Sequence, residues 1–137
     1  MPQVAESETV TPAATIIAME KAALDRWAKG DPDGFLAISS LDVTYFDTFV
    51  ERRVDGRDAL KKLYDGIRGK VWIDRYELIN PKVRVSGNLA LLTFNFVSYT
   101  EERAMRWNTT EVYEQNDGTW RIVHSHWSST QPKLTSN

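Results

Sequence analysis

The chain is predicted to adopt an α+β fold, with helices in its first half and a run of antiparallel strands in its second. Three observations carry this. Up to Gly69 the apolar residues recur mainly at helical spacing. From Val71 onward the period moves toward two and β-branched and aromatic residues are enriched. Asn116-Asp117-Gly118, set between two such runs, is a strong hairpin signal. Helices segregated from a run of antiparallel strands define the α+β class.

The elements follow in order. Residues 1–10 read as a disordered lead-in, and Thr11-Pro12 as an N-cap with proline at the first helical position. Ile16, Met19, Ala23, Leu24 and Trp27 form one apolar helix face, which Gly30 ends. Asp31-Pro32 repeats the start signal for a short helix carrying Phe35, Leu36 and Ile38. Val43 to Asp47 (VTYFD) reads as a strand and Glu51-Arg52-Arg53 as a solvated turn or short strand. A third helix begins near Asp55 or Gly56, uses Ala59, Leu60, Leu63 and Ile67, and stops at Gly69. Val71–Asn80 is a strand broken by Asn80-Pro81, and Lys82–Ser86 follows to a Gly87-Asn88 turn. Leu89–Tyr99, Ala104–Gln115 and Thr119–Ser129 are the remaining strands, with Glu101-Glu102 as a connection. Residues 11–130 make a single domain and 131–137 a flexible tail.

Composition excludes several classes. At 137 residues the chain suits one domain, and its 42% hydrophobic content is ordinary for a globular protein. A net charge of -2 leaves no basic stripe for nucleic acid and no polybasic membrane tail. The absence of cysteine removes disulfides, thiolate metal sites and a cysteine nucleophile. No apolar run is long enough to span a membrane, and Met1 to Val10 lacks the basic and apolar regions of a signal peptide. A soluble cytoplasmic protein is expected. No GxSxG, HExxH, phosphate-loop or GxGxxG pattern is present, and no cofactor is expected.

Four segments carry a family resemblance. They are WAKGDPDGF, DVTYFDTF with VDGRDAL downstream, NPKVRVSGNLALLTFNF, and WNTTEVYEQNDGTWRIVHSHWSS, the last being the most specific. Over about residues 12–130 the chain resembles the nuclear transport factor 2-like superfamily, and within it the SnoaL-like bacterial proteins of unknown function. It is also similar to the association (hub) domain of calcium/calmodulin-dependent protein kinase II, which ends in a comparable DGxWxIVHxH phrase. The resemblance implies a cone: a strongly bent antiparallel sheet with three helices packed on its concave face and a pocket inside. It implies a homodimer formed through the convex face. The hub pocket is lined by arginines, and the matching positions here are Asn95, Glu111 and Trp127. The chain thus departs from an anion-binding hub pocket, and it holds no kinase motif.

Candidate site residues follow from strand parity together with this resemblance. Trp107, Thr109, Glu111 and Tyr113 share a face on one strand. On the next, Arg121, Val123, Ser125 and Trp127 share one face, and Trp120, Ile122, His124 and His126 the other. The hub correspondence turns Glu111 and Trp127 into the cone and the histidines to the convex side. Asp47, at a strand end, could act as a general base, with Tyr45 on the same face donating to a developing oxyanion. The ketosteroid isomerase pattern, on a related cone, pairs an Asp base with a Tyr donor. A turn cap explains Asp47 as well. Glu111 within a strand is a candidate pocket acid, or one half of an ion pair with Arg103, Arg106 or Arg121. Trp27, Asn95, Trp107, Thr109, Ser125 and Trp127 are candidate ligand contacts, and aromatic walls suit a flat or cyclic apolar ligand. Core packing explains the tryptophans equally well. His124-x-His126 has chelate spacing but no third ligand near it, so no metal is expected and a place in the dimer interface is the alternative.

Three functions remain open on this evidence. The first is a homodimer binding an unidentified small molecule inside the cone. The second is a cofactor-free isomerase, cyclase or hydratase-like enzyme on a small cyclic substrate, with Asp47 or Glu111 as base. The third is a hub-like oligomerisation module.

Overall fold

The computed structural model describes residues 10–130. The expected lead-in falls almost wholly outside these residues, and the expected tail entirely so. Helix α1 spans Pro12–Trp27, and the Thr11 hydroxyl accepts a hydrogen bond from the Ala14 amide at 3.1 Å. Its buried face is Ile16, Ala23 and Leu24, with Glu20 among them. Helix α2 is the short Asp33–Ala37, whose first amide donates to the Asp31 carboxylate at 3.0 Å. Strand β1 (Ser39–Phe46) and the two-residue β2 (Val54–Asp55) precede helix α3 (Arg57–Asp65). Four long strands complete the chain: β3 (Arg75–Ser86), β4 (Leu89–Thr100), β5 (Arg103–Asn116) and β6 (Thr119–Ser129).

All six strands belong to one curved sheet in the order β2-β1-β6-β5-β4-β3. Three hairpins make β3 to β6 antiparallel. Two of their turns have positive φ at both central residues, Glu101 and Glu102 in one, Asp117 and Gly118 in the other. That geometry matches the twist of the flanking strands. The hairpins also fix the direction in which β6 arrives beside β1, and there the pairing is parallel. The sheet is therefore mixed, a correction to the antiparallel sheet expected from the sequence.

A second correction concerns β3. It starts at Arg75, four residues later than expected, and Asn80-Pro81 does not break it. The ladder to β4 continues on both sides, with a register shift between Ile79 and Lys82. Asn80 takes φ 51° there. A bulge is where a strand tolerates a proline, which has no amide to give the ladder.

The core lies between the helices and the inner face of the sheet. Ile16 and Leu24 from α1, Phe35 from α2, and Leu60 and Tyr64 from α3 meet Val43, Leu92, Phe94, Phe96, Tyr113 and Ile122. The segment between α3 and β3 is tied back to the end of α1. Gly69 donates to the Gly30 carbonyl at 2.9 Å and Ile73 to that of Ala28 at 2.9 Å. A Cβ on Gly30 would stand 3.1 Å from the Gly69 Cα, and Gly30 has φ +83°, so glycine is required there. This tie sets Lys70 to Ile73 at the mouth of the cavity described next.

Candidate functional site

A cavity of about 840 Å³ opens between the helices and the inner face of the sheet. Its walls are mainly aromatic: Trp27 from α1, Phe35 from α2, Tyr64 from α3, Tyr45 from β1, Phe96 from β4, and Trp107 and Trp127 from β5 and β6. Trp127 is the centre of this packing. Its ring lies edge-to-face with Phe94, Phe96, Phe35 and Trp107, at centroid separations of 5.8, 5.6, 6.3 and 6.5 Å. Such pairs hold aromatic rings at fixed angles and add to area burial. Trp27 packs edge-on against Tyr64 at 5.1 Å. At the mouth, Phe49 is 73% exposed and Trp72 59% exposed; the Phe49 ring meets Trp107 at 6.0 Å.

Polar groups on the walls are few. Asp47, Ser98 and Thr100 line the cavity, with Lys70, Glu101 and Arg103 around it. Asp47 accepts three hydrogen bonds: from the Tyr45 hydroxyl at 2.8 Å, and from the Phe49 and Val50 amides at 2.7 and 3.1 Å. It therefore caps the turn after β1 and holds Tyr45 at the same time. Tyr45 is buried, and that burial, with Tyr64 and the Asp47 carboxylate beside it, holds its hydroxyl proton far more tightly than usual. Burial does the same for Tyr64, whose ring stands 5.7 Å from that of Tyr45.

Glu111 lies behind this wall. It is 0% exposed and does not line the cavity. The Trp127 indole N–H donates to the Ser125 hydroxyl at 2.9 Å, and that hydroxyl donates to Glu111 Oε2 at 2.7 Å. No arginine pairs with Glu111; Arg121 donates to the Ala37 carbonyl. Facing it is Glu20 of α1, also 0% exposed, whose Oε1 accepts from the Tyr113 hydroxyl at 2.7 Å. Burial raises the affinity of both carboxyls for a proton, and at Glu20 the charge of Glu111 adds to it.

The structure thus brings Trp27, Tyr45, Asp47, Trp107 and Trp127 to the cavity wall. Thr109, Glu111 and Ser125 point inward but sit beneath that wall. Asn95 is placed differently from the expectation. It is exposed on the outer face of β4, where its amide donates to Asn108 Oδ1 at 2.8 Å and to the Trp107 carbonyl at 3.2 Å. It borders a shallow outer depression of about 280 Å³ with Ile79 and Asn108. Parity along β6 also changes. The register to β5 shifts between Val112 and Tyr113, so Tyr113 pairs with Ile122 and Val112 with His124. This bulge turns Trp120 and Ile122 inward with Ser125, and all three are buried. His124 and His126 face outward opposite Thr44 and Phe46, their rings 6.4 Å apart and the His124 Nδ1 2.7 Å from the Thr44 hydroxyl. Partial burial and then the neighbouring His126 hold His124 below the usual imidazole range. Among the described residues no three His, Asp or Glu side chains are grouped to hold a metal.

Several residues of the site escaped the sequence reading, among them the wall hydroxyls of Ser98 and Thr100 and the side chains of Glu20, Tyr64, Phe49 and Trp72. Glu20 was legible: it stands four residues from both Ile16 and Leu24, a carboxylate inside the apolar stripe of α1. Tyr64 follows Leu60 by one helical turn and carries a weaker signal of the same kind. Phe49 and Trp72 sit in connections, where no periodicity marks them.

The model of the SnoaL-like domain family matches residues 16–132. The chain belongs to the SnoaL-like family. No curated protein matches it. Among solved structures, this SnoaL-like protein is similar to one from Parabacteroides distasonis named as a candidate ketosteroid isomerase. The two are 39% identical over 89% of this chain and 90% of that one, with a TM-score of 0.82. An NTF2-like protein of unknown function from Pseudomonas putida is 21% identical over 91% of each chain, at a TM-score of 0.77. The S. rosetta CaMKII hub is 21% identical over 89% of this chain and 99% of that one, at 0.73. The last two likenesses show the fold alone.

Proposed function

We propose that this SnoaL-like protein is a homodimeric binder of a small, flat, largely apolar molecule, held in the aromatic cavity. The cavity is the observation that carries the reading. About 840 Å³ is the size of a drug-like ligand site, and edge-to-face rings give it fixed walls before any ligand arrives. Asp47, Ser98 and Thr100 are the polar groups that would orient the guest. The outer face of the sheet would form the dimer, through exposed Phe46, Ile79, Leu89 and Leu91 among uncharged Asn95, Asn108 and Thr110.

The test is a titration with prodan, a neutral naphthalene dye that brightens in apolar surroundings. Saturable binding at one dye per chain is expected. Ala104→Trp, which places a ring at the mouth, should weaken it about tenfold, about 1.4 kcal/mol. Dye binding that never saturates, or that ignores Ala104→Trp, would remove the cavity from the proposal. Native mass spectrometry of gently purified protein would add the mass of any molecule carried along.

A second reading, an acid–base isomerase on a small cyclic substrate, is supported by the 39% identical relative. In it Asp47 is the base. The Tyr45 hydroxyl already donates its hydrogen bond to Asp47, so the cavity-lining Tyr64 is the better donor to an oxyanion. Glu111, sealed behind Trp127 and Ser125, would have no access to substrate.

A further inference from the structure

Glu20 and Glu111 pose a problem that the binding reading leaves unanswered. Both carboxyls are fully buried, one on α1 and one on β5, and among the described residues no cation offsets them. The titratable groups packed around them are Tyr113 on β5, Tyr64 on α3 and Tyr76 on β3, all phenols. Two of the four carboxyl oxygens are satisfied, Glu20 Oε1 by Tyr113 and Glu111 Oε2 by Ser125. The other two, Glu20 Oε2 and Glu111 Oε1, have no donor among the described residues. Two bare carboxylates side by side in an apolar interior are not tolerated without a cation. A single proton between the two unpartnered oxygens resolves both deficits, since a protonated carboxyl donates where an ionised one only accepts.

We propose that Glu20 and Glu111 form a buried acid–carboxylate dyad that holds one shared proton and positions Trp127, so that the inner wall of the cavity depends on that proton. The chain of contacts is short. Glu111 fixes the Ser125 hydroxyl, that hydroxyl fixes the Trp127 indole N–H, and the Trp127 ring is wall. Removing the proton sets two carboxylates against each other across the gap between α1 and β5. Glu111 then shifts, and Ser125 and Trp127 lose their anchor. The sign follows from the raised proton affinity in the folded state. The stabilisation is complete below the ordinary carboxylate range and is lost as pH rises through the dyad's own ionisation. The positioning half of this proposal rests on the cavity being the binding site.

Infrared spectroscopy of protein isotope-labelled at its glutamate carboxyls tests the proton directly. At about pH 7 a protonated-carboxyl C=O stretch is expected, and Glu20→Gln should remove it. Absence of that band in the wild type overturns the dyad. Positioning is tested by raising the pH while following prodan affinity and the emission of Trp127, isolated by subtracting Trp127→Phe. In the wild type both should change together as the band disappears, affinity falling at least about fivefold. In Glu20→Gln, whose amide still donates toward Glu111, both should stay flat. Wild-type affinity and emission that stay flat while the band disappears would overturn positioning and leave a proton store. Should Glu20→Gln not fold, Glu111→Gln makes the same test from the other side. Failure of the dye to bind would sink the cavity reading alone, because the infrared band and the Trp127 emission still decide the dyad.

Discussion

At Asp47 a turn cap and a contact with the cavity wall are made by one carboxylate. Oδ1 accepts the Phe49 and Val50 amides, as a turn-capping aspartate does, while Oδ2 takes the Tyr45 hydroxyl on the cavity wall. The turn therefore aims Tyr45. Asp47→Asn keeps an oxygen for the two amides and loses the charge that strengthens all three bonds. Asp47→Ala loses every acceptor. Urea unfolding should show a cost of about 1 kcal/mol for Asp47→Asn and about 2 kcal/mol or more for Asp47→Ala. Equal costs would mean that the turn bonds contribute nothing and that only the Tyr45 contact stabilises. The residue type and its strand-end position were legible in the sequence. The double engagement was not, because alternation along β1 says which way Tyr45 points but not where the chain turns after it.

At the scale of elements, the sequence was most legible where the signal is local. The N-cap of α1, the short α2 and the turns at 101–102 and 117–118 are each written in two to four adjacent residues, and each stands where expected. What failed was parity carried across a bulge. Period two holds along β5, so Trp107, Thr109, Glu111 and Tyr113 do share a face. Along β6 the extra residue near Val123 exchanges the faces, and Trp120 and Ile122 join the core. The parallel β1–β6 pair was illegible for a different reason: it joins residues about eighty positions apart, through no turn. The bulge in β3 makes a testable case. Asn80 holds φ 51°, a conformation that costs a β-branched residue about 1–2 kcal/mol. Asn80→Val should lower the unfolding free energy measured in urea by that amount, and Asn80→Gly should leave it nearly unchanged. If valine is tolerated, the register of β3 has slipped past Pro81, and amide exchange of Ile79 and Lys82 would show it.

At the scale of the whole molecule, the two faces of the sheet have different surroundings. The inner face is taken up by the helices and the cavity, so the outer face is where the sheet is free to meet another chain. There Leu91 lies between Arg84 of β3 and Val112 of β5, and the row continues through His124 to Thr44. Phe46 sits beside both histidines, 5.8 and 5.2 Å from their ring centroids. The surface is apolar in patches and uncharged along its middle, which is the composition of an interface centre rather than of a solvated strand face. A stable pair of chains needs about 800 Å² from each. Sedimentation of the intact protein at micromolar concentration should therefore give twice the chain mass. Leu91→Lys puts a charge at the centre of the proposed interface without touching the inner core, so the mass should fall to that of one chain while the circular dichroism spectrum is kept. Prodan should still bind that monomer, because the cavity is built entirely from one chain's helices and strands. A doubled mass that survives Leu91→Lys would move the interface off the sheet. A monomer that no longer takes up the dye would mean that the second chain holds the cavity in shape from behind.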